Sequence, residues 1–221
     1  MRFVDLQEAR ARLRGKRVAV VGGGPSALEN RPGFIDSHDV VVRVNNYRLG
    51  EEQGCRCDVF YSFFGSSIRK TANELTRDGV RLCWAKCPDG KPLESRWHEA
   101  HGKTNGIDFR YIYRERESWW FCDTFIPEAE HFLRGVNLLE GHVPTTGFSA
   151  VVDVLESEPA SVHVTGFDFF RSGQHNVDEK WRPGNPADPI GHLPELEREW
   201  MRQNLPKHPI TTDRTLAELL K

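Results

Sequence analysis

The stretch RVAVVGGGPSALENRPGFIDSHDVVVRVN, from Arg17 to Asn45, decides how the chain folds. Val18 to Val21 is an unbroken apolar run, largely β-branched, as a strand buried on both faces of a parallel sheet requires. Gly22, Gly23 and Gly24 then turn the chain, and Pro25-Ser26 opens the next segment. Glycine permits positive φ and lets backbone approach a ligand closely. A strand that passes through a glycine turn into a helix start presents N–H groups that can hold a phosphate. Asp36-Ser37-His38-Asp39 precedes a second apolar run, Val40 to Val44, which delivers Asn45 and Asn46 at its end. Ligands in open α/β sheets gather at the carboxyl ends of strands. Gly22, Gly23, Gly24, Ser26 and Asn45 are therefore the first candidates for contact with a nucleotide. The turn reads GGGPS and not GxGxxG, so the dinucleotide fingerprint is not met. A turn that serves only the fold is the competing reading.

Outward from this stretch the pattern stays α/β. A short polar helix is predicted over Asp5 to Leu13, ahead of the first strand. Cys57 to Phe63 reads as a strand, Ser66 to Asp78 as a helix ended by Gly79, and Val80 to Ala85 as another strand. Lys86 to Ile107 is polar and suits a long loop, and Phe109 to Tyr113 a short strand. Pro127 to Leu133 starts helically. Gly147 to Glu158 is a helix whose start carries Thr145 and Thr146, and Ser161 to Gly166 is the next strand. Residues 183–194 hold four prolines and two glycines and suit a loop or lid. Glu195 to Gln203 and Asp213 to Leu220 are helices, the second capped by Asp213. A chain of 221 residues can bury the core of one such domain. The expectation is a single Rossmann-like α/β domain over 1–221, with a mostly parallel twisted sheet flanked by helices.

Two further segments carry chemistry. PTTGFSAVVDVL runs from Pro144 to Leu155 and leads to VHVTGFDFF, ending at Phe170; His192-x4-Glu197 lies beyond. With the first stretch, these resemble the motifs of the sialyltransferase superfamily, in the family's order. Ile35 to Asp39 reads IDSHD, and Arg43-Val44-Asn45 supplies an Arg-x-Asn, as in the large family motif. Gly23 and Ser26 stand where the family usually has two asparagines, so Ser26 keeps a hydroxyl for a phosphate and Gly23 only backbone. Pro144-Thr145-Thr146-Gly147-Phe148 and the strand ending Thr165-Gly166-Phe167 match the small motif. His175-Asn176-Val177-Asp178 approximates the third motif without its aromatics, and His192 with Glu197 fits the fourth. Residues from about 60 to 140 match nothing in the family.

The resemblance implies a GT-A-like variant of the fold and an inverting transfer of a sialic acid or Kdo-type sugar from a CMP-linked donor. Nucleotide contacts would come from Gly22, Gly23, Gly24, Ser26, Asn45, Thr145, Thr146, Gly147, Gly166 and Phe167. His175 would neutralise the leaving phosphate, His192 would take the acceptor proton, and Glu197 would cap its own helix start or orient His192. The leaving group bears one phosphate, and the chain contains no Asp-x-Asp. Backbone N–H groups, hydroxyls and one imidazolium can neutralise such a group, so no metal or other cofactor is expected. Two other readings stay open. GGGPS after a strand also occurs in enzymes resembling ATP-dependent pterin diphosphokinases, and the missing loop asparagines suit a catalytically inactive nucleotide-binding module. Trp119 and Trp120 are candidates to stack an acceptor sugar or to pack in the core.

Composition narrows the partners. Lys and Arg number 30 against 32 Asp and Glu, a formal charge of −2, so no global field recruits nucleic acid or anionic membrane. No apolar run reaches the ~20 residues of a membrane helix. The expected partners are a nucleotide-sugar donor and an oligosaccharide or glycolipid acceptor. Luminal members of the family join the two main motifs by a disulfide; Val18 and approximately Pro159 stand at those positions. Cys55, Cys57, Cys83, Cys87 and Cys122 lie elsewhere, and reduced thiols suit a cytoplasmic protein. A zinc site between the Cys55/Cys57 and Cys83/Cys87 pairs lacks the C-x2-C spacing.

Overall fold

The computed structural model describes residues 2–64, 68–88, 121–172 and 192–221. Its centre is one sheet built from the apolar runs: β1 (Arg17–Val21), β2 (Val40–Val44), β3 (Val59–Ser62), β4 (Leu82–Ala85), β5 (Asp123–Phe125), β6 (Ser161–Thr165) and β7 (Ile210–Thr212). The strand order is β5-β4-β3-β2-β1-β6-β7, and every described pair is parallel. The central strands are buried on both faces. This is why they read as continuous apolar runs and not as alternation.

Helices cover both faces: α1 (Leu6–Ala11), α2 (Ala72–Arg77), α3 (Ala129–Leu138), α4 (Thr146–Glu156), α5 (Pro194–Asn204) and α6 (Arg214–Leu219). On one face Val18, Val20, Val42, Tyr61 and Trp84 pack with α1, α4 and α5 through Leu13, Phe148, Val151 and Met201. On the other, Ala19, Val21 and Val41 pack with Ala27 and Ile35, and Phe60 and Cys83 with Leu75 and Val136.

Several boundaries differ from the sequence reading, for local reasons. The glycine turn leads into a five-residue 3₁₀ helix, Pro25–Glu29, with Gly24 as its uncapped start, and not into an α-helix. The helix predicted from Ser66 begins only at Ala72, because Thr71 and Glu74 form a capping box there. Asp5 and Glu8 form the same device at α1, and Asp213 caps α6 as predicted. The strands β5 and β7 were not predicted; each has three residues, too few to show a period. Backbone around Phe3 adds a bridge on the outer side of β5, with Val4 N donating to Thr124 O at 2.9 Å. Most of 86–107 and 183–194, the strand predicted at 109–113, His175, Trp119 and Trp120 lie outside the described residues.

The topology places the site. From β1 the chain moves to β2 on one side; from β6 it moves to β7 on the other. β1 and β6 are neighbours whose continuations diverge, so their carboxyl ends form the switch point of the sheet, where open α/β sheets bind ligands. The segments there are Gly22–Gly24 and Gly166–Asp168.

Candidate functional site

The two loops at the switch point touch backbone to backbone. A Cβ on Gly22 would lie 2.4 Å from Gly166 O, and one on Gly166 would lie 2.7 Å from Gly22 O. Gly166 also has φ +77°. Gly24 N donates to Gly166 O at 2.8 Å, and a Cβ on Gly24 would again meet that oxygen. The Phe167 ring fills the next gap: a Cβ on Gly147 would sit 2.7 Å from its Cε1, and one on Gly22 would sit 3.0 Å from its Cε2. Gly22, Gly24, Gly147, Gly166 and Phe167 are thus brought together from segments far apart in sequence. Glycine at these positions answers to close packing of the loops as well as to any ligand.

Asp213, the α6 cap, ties this cluster to the end of the sheet. Its Oδ2 accepts from Ser26 Oγ at 3.0 Å and from Gly166 N at 2.9 Å, while Oδ1 accepts from Leu216 N at 2.7 Å. Ser26 is buried, and a hydroxyl that donates to Asp213 has no second proton for a phosphate. Any anion held by this turn meets backbone N–H groups. Below it, His163 joins Thr211 Oγ1 and Asn30 Oδ1, both at 2.9 Å, and Asn30 donates to Thr165 Oγ1 at 3.0 Å. Burial, with His38 adding to it, pushes the His163 imidazole down to about 4, so it is neutral at pH 7.

At the end of β2, Asn45 takes φ +50° and accepts from Ser62 Oγ at 3.2 Å. Arg43, beside it in sequence, is fully buried and donates to the carbonyls of Arg56 at 2.7 Å and Gln53 at 2.6 Å. It shapes the loop between β2 and β3. The IDSHD acids also organise backbone: Asp36 accepts from Cys55 N at 2.7 Å, and Asp39 binds the Arg17 side chain and N–H. The hydrogen bonds from Arg17 hold the Asp39 carboxyl down to about 2. Asp168 folds the loop after β6, accepting from Phe170 N at 2.9 Å and Ser172 N at 3.2 Å. Phe169 and Phe170 both adopt positive φ there, +52° and +61°, which bulky residues rarely do.

The second half of the site is a clamp on three consecutive residues. Val143 O is joined by His192 Nδ1 at 2.6 Å. Pro144 O accepts from Lys86 Nζ at 2.5 Å. Thr145 N and Oγ1 donate to the two Glu197 oxygens at 2.5 and 2.8 Å. Thr145 also caps α4, accepting from Phe148 N at 3.2 Å. All three clamping side chains are buried. Burial raises the Glu197 carboxyl to about 7, against the bonds from Thr145 and the charge of Lys86; burial likewise lowers the Lys86 ammonium. Glu197 therefore does not cap its own helix start: it grips the cap residue of α4. An imidazole whose Nδ1–H meets a carbonyl carries, when neutral, its lone pair on Nε2. From Thr145 the contacts run through Gly147 and Phe167 to Gly22, so the clamp and the switch-point loops form one continuous region.

The chain has the sialyltransferase fold. The sialyltransferase CstII from Campylobacter jejuni, determined with CMP, superposes with a TM-score of 0.56 over 90% of this chain and 80% of that one, at 14% identity. The same enzyme with CMP and a trisaccharide acceptor gives 0.54 over 90% and 81%, at 14% identity. A mammalian sialyltransferase gives 0.55 over 90% and 68%, at 19% identity. No protein-family model matches the sequence, and no curated protein matches it significantly. Among the described residues no cluster of three or more His, Cys, Asp or Glu has metal-binding geometry. No described helix is long and apolar enough to cross a membrane.

Sequence reasoning missed two residues that build this candidate site. Lys86 was assigned to the start of a loop; the signal was a lysine directly after an apolar strand. Asp213 was recognised as a cap, but nothing local shows that its other oxygen reaches residues 26 and 166.

Proposed function

We propose that this chain is an inverting glycosyltransferase. It moves a sialic acid or Kdo-type sugar from a CMP-linked donor to an oligosaccharide or glycolipid hydroxyl, without a metal ion. One observation supports this above the rest: the segments that resemble the sialyltransferase motifs meet at the switch point of a sheet with the sialyltransferase fold. CstII was determined with CMP, and also with CMP and a trisaccharide acceptor.

In this reading the donor phosphate lies between the Gly22–Ser26 turn and the start of α4. The α4 N-terminus offers Thr146 and Gly147 N–H groups and the positive end of an 11-residue helix. Asn45 closes the nucleotide pocket from the end of β2. His192 accepts the acceptor proton on Nε2, with Nδ1 fixed by Val143. The Glu197 role is positional, through Thr145. His175, outside the described residues, would neutralise the phosphate as it leaves. Attack opposite that phosphate inverts the anomeric carbon. A single phosphate spread over N–H donors and one imidazolium needs no obligatory cation. Free thiols at all five cysteines suit a cytoplasmic setting.

Titration with CMP, UMP, AMP and GMP in EDTA, followed by turnover with CMP-sialic acid and CMP-Kdo, tests the reading. CMP binds preferentially and one donor turns over in EDTA. Binding only of ATP with magnesium would indicate diphosphokinase-like chemistry. CMP binding with neither donor consumed would indicate the inactive nucleotide-binding module, which the engagement of Ser26 by Asp213 favours. His192→Ala lowers kcat by about 10²–10⁴ and leaves CMP affinity nearly intact; a near-wild-type kcat places the base elsewhere.

A further inference from the structure

We infer that Lys86 is a positioning residue for the segment that leads into α4, acting with Glu197 as a paired-charge clamp on Pro144 and Thr145. This rests on reading Thr145–Gly147 as nucleotide-contacting. Lys86 follows β4 directly and is only 6% exposed. Its Nζ donates to Pro144 O at 2.5 Å and lies 5.9 Å from the Phe132 ring centroid. Proline has no N–H, so the carbonyl is the sole polar backbone handle at position 144. Glu197 takes both donors of the next residue. A loop that only joined α3 to α4 could be held by neutral groups. Burying an ammonium and a carboxylate is costly unless each is paired and hydrogen-bonded.

Cys87 and Glu197 act on Lys86, and Lys86 and Glu195 act on Glu197. Lys86 also lines a small cleft with Tyr61, His131, Arg134 and Asp153. There Asp153 accepts from Tyr61 OH at 2.5 Å and pairs with His131 Nε2 at 2.8 Å, so its charge is engaged within its own network. Among the described residues, the cation that acts on Glu197 is Lys86.

The test has a ligand-free arm and a CMP arm. Unfolding stability is measured from pH 4 to 9 for wild type, Lys86→Met, Glu197→Gln and the double variant. The stability difference contributed by the Glu197 carboxyl levels off at some pH in the wild-type background. In the Lys86→Met background that pH rises by roughly half a unit or more, because the carboxylate has lost its cation. In the CMP arm, Lys86→Met weakens CMP binding about fivefold or more and raises the donor KM more than it lowers kcat. Should Lys86→Met not fold, Lys86→Gln, which has no charge, carries both comparisons. An unchanged levelling pH together with CMP affinity within twofold of wild type overturns the inference. If wild type binds no CMP, the proposed function falls, and the ligand-free arm alone decides the Lys86–Glu197 coupling.

Discussion

Gly22 and Gly166 set how closely the two switch-point loops approach. Each would place a Cβ well inside the other's carbonyl oxygen. Gly22→Ala and Gly166→Ala therefore each lower unfolding stability by about 2 kcal/mol or more, the scale of overpacking, to which the φ of +77° adds backbone strain at Gly166 alone. Gly15 is the control: φ is +66° but nothing lies within 4 Å of its Cβ position, so Gly15→Ala costs only about 1–2 kcal/mol. Equal losses at Gly15 and Gly22, measured by urea unfolding, would deny the contact its role. Glu197 gives a pH prediction with a definite sign. Its folded carboxyl titrates at about 7 against an ordinary 4.5. The folded state thus binds the proton more tightly, and the stability this confers is complete below about pH 4.5 and lost as pH rises to 7. Relative to Glu197→Gln, wild type loses of order 3 kcal/mol across that window and is flat above it. A flat difference from pH 4.5 to 7 would show that Glu197 is not held in a buried, proton-retaining site.

At the scale of elements, Thr145 is the joint between the clamp and the start of α4. It caps Phe148 N while giving its own proton to Glu197. Thr145→Ala removes both bonds and costs about 1–2 kcal/mol, with CMP affinity falling alongside; Thr145→Ser keeps both. A Thr145→Ala protein that loses stability yet binds CMP unchanged would separate the cap from the nucleotide. This element was legible in sequence: PTTG followed by an apolar run at helical spacing announces a capped helix. The strands β1, β2, β3, β4 and β6 were legible for the same kind of reason, since Val-rich runs suit burial on two faces. The edge strands β5 and β7 were not, because three residues carry no period and their pairing depends on distant partners. The 3₁₀ turn after the glycines was also illegible, since Pro25-Ser26 opens either kind of helix. The site divides likewise. Gly22, Gly147 and Gly166 are marked by their residue type. The partners of Ser26 and Glu197, at positions 213 and 145, have no local signature.

At the scale of the whole molecule, the sheet grows outward in two directions from β1, and the switch point lies where those directions part. CstII, which shares the fold, was determined with CMP, and the proposed function puts the nucleotide at this switch point. The cap residue of α6 reaches back across almost the full chain to hold residues 26 and 166. A chain ending at Thr212 lacks this tie. It is expected to lose at least ~2 kcal/mol, from two buried hydrogen bonds to a carboxylate, and to bind CMP at least tenfold more weakly. Full CMP affinity in the shortened protein would remove Asp213 from the site. The same tie imposes an order of events during synthesis. The glycine turn after β1 leaves the ribosome long before its buried partner, which lies 187 residues beyond Ser26. Nascent chains arrested before residue 213 has emerged will therefore be cut by protease at the Gly22–Pro25 turn, and released chains will resist. Translation, by delivering position 213 after residues 26 and 166, leaves both loops without this shared anchor until it arrives.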